Sequence, residues 1–350
     1  PRKVTRSRHS LKPHARKGAQ EMGAESYGAN PGRDEVAPQG HLGTRELVAI
    51  LMVMTSAKIY LVYSERILRA GATAAWTIPL ISGVLSVGWL LPLAQVLELH
   101  PGKGIIDITR HLAGRPLAWA FGLLLFAYLL VLLATSLEEI ATILAIAVLP
   151  TSPVRYLSMI ILGFALPIAL LGLEPLGRLS LLMIVASLMS ILALALVSSS
   201  EWSLHFLFPL QGSAPGKVLV AGLVRQSMYA EIIVIGLLAP YIRVVPAAKG
   251  KIRHCVLLAV VLSTVVFTLV ILGFQMLQPY PTGVNEAVPL LSAARVLYLS
   301  RFFQRFDAMF LFFWIMAAVT QQALVLYFAG LGLASTFSIK NHKPLLVFTG

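Results

Sequence analysis

From Leu47 onward the chain is a succession of long apolar runs separated by short polar stretches. A helix needs roughly 20 apolar residues to cross the hydrocarbon core of a bilayer. Runs of that kind occupy 46–64, 76–97, 117–137, 154–173, 178–198, 217–242, 254–277 and 305–337, and they predict eight membrane-spanning helices, with a ninth opening at Pro344. The third run continues past Glu138-Glu139 to Pro150, which predicts a long, tilted helix that leaves the bilayer. Between the seventh and eighth runs, Val284 to Ser300 is amphipathic and is expected to lie at the membrane surface.

Composition narrows the class. With 57% hydrophobic residues, 12% charged residues and a mean hydropathy of +0.81, a water-soluble globule of 350 residues is excluded. The single cysteine, Cys255, excludes an internal disulfide, and the absence of C-x-x-C or Cys/His clusters excludes a structural zinc site. No cofactor is implied. Residues 1–43 are rich in Lys, Arg, Gly, Pro and Ser, and they carry too little apolar surface to offset chain entropy. They read as a disordered basic cytoplasmic tail ahead of a transmembrane permease-like domain over 44–350. The tail is not a secretory signal, whose apolar core would follow soon after the basic start. A polybasic segment beside a span can also hold anionic lipid heads. The chain opens on Pro1 and closes just after Leu345-Leu346-Val347-Phe348 begins another apolar run, so it reads as a fragment.

The net charge of +13 raises the question of nucleic acid, and its distribution answers it. Eight of the 28 Lys/Arg fall in the first 43 residues and most others lie between apolar runs, a pattern of membrane topology rather than of a nucleic-acid face. With a cytoplasmic N-terminus the inner segments hold 19 Lys/Arg and the outer ones seven, so the N-terminus is expected inside. The stretch Arg243 to Lys251 is then a basic cytoplasmic loop.

Short motifs recur in a telling order. Ala75-Trp76 opens the second span, His100-Pro101-Gly102-Lys103 follows it, and Leu149-Pro150-Thr151-Ser152-Pro153 follows the third. Leu173-Glu174-Pro175-Leu176-Gly177-Arg178 precedes the fifth, and Tyr229-Ala230-Glu231 to Pro240-Tyr241 fills the sixth. Arg305-Phe306-Asp307-Ala308-Met309-Phe310 with Trp314 leads the eighth. In this order and spacing the chain resembles the spore-germination permease family, the polytopic B subunit of germinant receptors, which is itself similar to amino acid/polyamine/organocation transporters. The resemblance runs from about Thr44 to Gly350 and is most specific between Glu286 and Trp314. It implies an all-α polytopic fold of ten helices in two inverted five-helix repeats, with this chain ending near the start of the ninth and the last helices missing. It also implies a ligand pocket at the bilayer midplane between the first, third, sixth and eighth helices. The long basic tail departs from the family pattern.

Inverted-repeat transporters often break the first helix of each repeat at the midplane. Here the corresponding polar interruptions are Thr55-Ser56-Ala57-Lys58 and Gln226-Ser227-Met228-Tyr229-Ala230-Glu231, though neither contains the glycine usual in the first. Two readings stand for Lys58: a cation facing the pathway, where it would pair with Glu231 or a ligand carboxylate, or one that snorkels past Ser64 to the surface. Glu231, about 14 residues into its span, coincides with a family glutamate and faces either the pocket or a partner in the bundle. Arg225 is expected to snorkel. Glu138 and Glu139 point about 100° apart and cannot flank one substrate as acid and base, so an outer vestibule suits them better. Arg305 and Asp307 open the eighth span in dipole-favourable places and read as structural. Phe310 and Trp314, four residues apart, share one helical face and either line the pocket or pack. Gln321 and Gln322 are expected to find hydrogen-bond partners within the bundle.

No nucleophile–base pair, phosphate loop or metal cluster is present in the sequence, so an enzyme is not expected. The candidate ligand-binding set is Thr55, Ser56, Lys58, Ser227, Tyr229, Glu231, Phe310 and Trp314. By resemblance the chain is a subunit of a germinant receptor in the inner spore membrane, binding an amino acid or similar metabolite and working with A and C subunits. The other reading is a secondary transporter of amino acids or polyamines.

Overall fold

A computed structural model describes residues 42–56, 64–242, 250–282, 306–339 and 343–349. Lys58, Arg305, Val284 to Ser300 and the Arg243 loop up to Lys249 lie outside these, as does the tail to His41. Every described element is helical, and the lone β-bridge joins Leu42 to Ile242. In order the helices are α1 (Thr44–Ser56), α2 (Ser64–Gly71), α3 (Thr77–Leu99), α4 (Ile105–Ala147), α5 (Val154–Leu170) and α6 (Leu173–Ser198). There follow α7 (Pro215–Val224), a 3-10 stretch (Arg225–Val234), the single turn α8 (Ile235–Leu238), α9 (Lys251–Leu277), α10 (Phe306–Phe337) and α11 (Lys343–Thr349).

All eight apolar runs are helical over most of their described length, but their ends differ from the hydropathy pattern in instructive ways. The third begins at Ile105, twelve residues before the apolar run, because a short amphipathic segment precedes a bend at Gly114 (φ 84°). That positive φ is cheap for glycine alone, and Pro116 just beyond it cannot extend a hydrogen-bonded turn backwards. The long continuation past Glu138-Glu139 is observed, with α4 ending at Ala147. The fifth begins at Leu173, so Glu174 to Arg178 form its first turn and more rather than a lead-in loop. Pro175 is tolerated there because the first helical N–H groups have no intrahelical acceptor, and Glu174 suits the positive end of the dipole. Gly172, at φ 99°, makes the two-residue turn from α5 possible.

In the first run α1 is described to Ser56 and α2 from Ser64. In the last described turn of α1 the Thr55 hydroxyl donates back to Leu51 O (3.1 Å) and Met52 O (3.0 Å), and Ser56 Oγ donates to Met52 O (2.6 Å). Such back-bonding competes with the backbone ladder. The sixth run changes character: α7 passes into ten residues of 3-10 helix, whereas runs beyond three or four residues are uncommon.

Packing groups the helices around α10 and α9. α10 lies against α4, α5, α6 and α1, while α9 lies against α3 and α1, and α7 packs on α3 and α2. Helix direction alternates, so one side of the bundle gathers the start of α1 with the ends of α3 and α10. On this Thr44 side Leu42 N donates to Tyr241 O (3.0 Å), and Arg110 donates to Ser335 O (2.7 Å) and Thr336 O (3.1 Å) at the end of α10. On the opposite, Ser64 side, Arg66 of α2 meets Glu139 of α4 at 3.3 Å and Arg225 donates to Arg66 O at 2.7 Å. Among the described residues six helices are long and apolar enough to cross a membrane by themselves, and large apolar side chains such as Val84, Leu124 and Leu196 point outward from them. The chain is an integral membrane protein.

Candidate functional site

Polar side chains within an apolar bundle are costly unless bonded, so their positions mark what the bundle is built around. Here they gather at mid-height, around the last described turn of α1, the 3-10 stretch and two adjacent glutamines of α10. Thr55, Tyr229, Glu231, Gln321 and Gln322 are all fully buried.

Gln321 joins three elements. Its Nε2 donates to Met54 O, near the end of α1, at 3.1 Å and to Glu231 Oε2 of the 3-10 stretch at 3.4 Å. Its Oε1 is buried with no donor against it among the described residues. Gln322, about 100° round the helix, turns instead to α4, where its Nε2 donates to Ser136 Oγ at 2.9 Å. The two amides therefore tie α10 to α1, the 3-10 stretch and α4 at a single level.

A second set lies on the α9 side. Thr55 Oγ1 and Ser263 Oγ are 3.1 Å apart, and Tyr229 Oη lies 2.8 Å from Thr264 Oγ1 and 3.3 Å from Pro79 O of α3. The Tyr229 ring also meets Phe267 at a centroid distance of 5.9 Å.

The structure thus brings together Thr55, Tyr229 and Glu231 from the candidate set, with Ser56 one residue away and bonded within its own helix. Ser227 is exposed and turned away from this cluster. Phe310 and Trp314 are buried, eleven and seven residues before Gln321 and on its face of α10, so they lie about 16 Å and about 10 Å from it along the helix. Glu139 is held at the Ser64 side by Arg66, and Glu138 is exposed. Of Asp307 only its place in the first turn of α10 is described. The glutamines expected to find partners do so. Ser136, Ser263 and Thr264 were not singled out by the sequence pattern; a Ser-Thr pair inside the span with a mean hydropathy of 3.0 was the available signal.

Apolar helices around a buried polar centre, with the sixth span passing into 3-10 helix at its level, define an integral membrane protein of transporter-like fold. The solved structure of Mhp1, a nucleobase-cation-symport-1 family transporter in a closed conformation with bromovinylhydantoin bound, matches with a TM-score of 0.61 at 18% identity, over 91% of this chain and 72% of that one. The profile of the spore germination permease family, described as spore germination protein, matches residues 42–350, and the chain belongs to that family. Among its relatives, spore germination protein YndE of Bacillus subtilis (strain 168) is 23% identical over 277 residues, 79% of this chain and 74% of that protein.

Proposed function

We propose that the chain is the membrane subunit of a germinant receptor in the inner spore membrane, with its N-terminus in the cytoplasm. In this reading a small germinant, an amino acid or similar metabolite, binds at mid-height beside Thr55, Glu231 and Gln321 and biases a conformational equilibrium. That bias passes to the A and C subunits. The observation that carries the reading is the buried acceptor Gln321 Oε1, set beside a carboxylate where the sixth span passes into 3-10 helix. Main-chain and side-chain polar groups at such places are suited to a polar ligand. The role is binding rather than catalysis. A ligand shifts such an equilibrium only by its differential affinity for the two states, so the cluster must differ between them.

A second reading, a secondary transporter of amino acids or polyamines, is favoured by the fold shared with Mhp1, a transporter crystallised with a bound hydantoin. The inverted repeats and the ninth and tenth helices belong with either reading. One experiment separates them: equilibrium binding of a labelled amino-acid and nucleoside panel to the purified protein, then uptake of each hit into liposomes with and without a proton gradient. Saturable binding without uptake supports the sensor, and concentrative uptake supports the transporter. Glu231→Gln should weaken binding of any hit by tenfold or more, about 1.4 kcal/mol. Unchanged affinity in a well-folded Glu231→Gln protein removes Glu231 from the site.

A further inference from the structure

Away from the mid-height cluster, the Thr44 side carries a corner where α4 bends at Gly114 before entering its apolar span. Arg110, just ahead of the bend, is fully engaged: it bonds Asp107 at 2.8 Å and the Ser335 and Thr336 carbonyls near the end of α10. Two turns past the bend, Gly122 lets α10 approach so closely that a Cβ there would overlap the Thr336 side chain. The two helices are thus locked together on both sides of the bend, and the outer surface of the corner is a fixed feature of the fold.

That surface mixes charge with apolar area. Residues 111–117 are all exposed, and they set His111 and Arg115 beside Leu112, which is 68% exposed. Unlike Arg110, neither His111 nor Arg115 has a bond or ion pair among the described residues. Four residues past Arg115, and so on its face of the helix, Trp119 meets the ring of Phe337 from α10 at a centroid distance of 6.4 Å. Leu123 continues that face one turn deeper, and Trp119, Leu123 and Phe337 are 48%, 44% and 48% exposed. From the surface inward the order is cation, aromatic pair, aliphatic side chain, over about 12 Å of helix. An arginine beside exposed apolar rings suits neither water nor hydrocarbon alone. It suits their boundary, where aromatic rings sit at head-group level and a guanidinium holds a phosphate through two parallel bonds. Asp107 does not neutralise Arg115, because it is already paired with Arg110. The corner is therefore net positive, the complement of an anionic head group.

We propose that this corner is a binding site for one anionic phospholipid, with its phosphate held by Arg115 and by the ring N–H of His111, and an acyl chain lying over Trp119, Phe337 and Leu123. A free phosphate would leave the aromatic pair uncovered, and a neutral lipid would leave the charge unmatched. The site belongs to the leaflet on the Thr44 side, apart from Thr55, Glu231 and Gln321, and it holds whether the protein senses or transports. A lipid seated there clamps the α4–α10 seam from outside.

The test is native mass spectrometry of the full-length, delipidated protein titrated with phosphatidylglycerol or with phosphatidylcholine of the same acyl chains. The first phosphatidylglycerol should bind more tightly than the first phosphatidylcholine. Arg115→Gln should weaken phosphatidylglycerol about fivefold, the worth of one basic residue at an anionic surface, and leave phosphatidylcholine within about twofold. Trp119→Ala should weaken both lipids, because it removes the hydrocarbon contact they share. Should Trp119→Ala fail to yield folded protein, Phe337→Ala tests the same seat. Arg178→Gln, at an exposed cation of α6 on the same side, is the control and should change neither affinity. Glycerol phosphate, a head group without chains, should not displace bound phosphatidylglycerol. Equal affinity for the two lipids overturns the proposal, as does undiminished phosphatidylglycerol binding by Arg115→Gln or by the variant that removes the ring. An equal loss in Arg178→Gln shows diffuse attraction rather than a site, and displacement by glycerol phosphate shows a phosphate site without a lipid seat; either result overturns it too.

Discussion

The centre of the bundle and the two ends of its helices are both polar, yet they are held by different means. At the centre the bonds are made by hydroxyls, amides and Glu231, all buried, and most of them join one helix to another. At the ends the bonds are ion pairs: Arg66–Glu139, Arg69–Glu65, Arg253–Glu98 and Arg110–Asp107, with at least one partner of each well exposed. Exposed pairs gain little because water screens them and long side chains lose freedom. Buried hydrogen bonds between membrane helices are individually modest too, but leaving one partner unsatisfied costs its full desolvation. The centre should therefore dictate one arrangement of the spans around it, and the ends should yield with little loss.

The sharpest way to break this contrast is to crowd the centre. Gly83→Val places atoms where Thr264 Oγ1 now sits and is expected to cost about 1–3 kcal/mol or prevent folding, read as a lowered thermal unfolding midpoint in detergent. Next, Gln321→Leu strips donors from Met54 O and Glu231 and should cost about 1–3 kcal/mol by the same assay. At the ends, Arg66→Ala and Glu139→Ala should each change stability by less than about 1 kcal/mol, and their double-mutant coupling should fade in high salt. If Arg66→Ala lowered the midpoint as much as Gln321→Leu, the distinction between centre and ends would fail. Least of all, Cys255, which is fully buried, should resist alkylation by a maleimide in the folded protein and react once it is denatured.

Much of this arrangement is legible in the one-dimensional pattern. The apolar runs fall on helices because spanning a bilayer demands a length that composition alone reveals. The polar interruption Gln226 to Glu231 coincides with the 3-10 stretch, since a hydroxyl or carboxylate in an otherwise apolar helix must find a partner wherever the fold places it. Less legible were the helix starts. Ile105 and Leu173 begin helices in polar or proline-containing sequence, where capping, dipole and tertiary contacts decide and hydropathy is silent. Ser227 shows the limit of reading by proximity: it stands two residues from Tyr229 but on another side of a 3-10 turn, and it is exposed.

What the sequence determined by itself, then, is the class of molecule, the approximate spans and the level at which polar groups are buried, because each of these depends on local composition and length. Only the tertiary structure decided which polar groups meet. That Gln321 reaches Met54 O and Glu231 while Gln322 turns to Ser136, and that neighbouring hydroxyls on α9 divide between α1 and the 3-10 stretch, follows from helix rotation and crossing. Those are fixed by side-chain packing between segments up to 267 residues apart in sequence, and no local pattern encodes them.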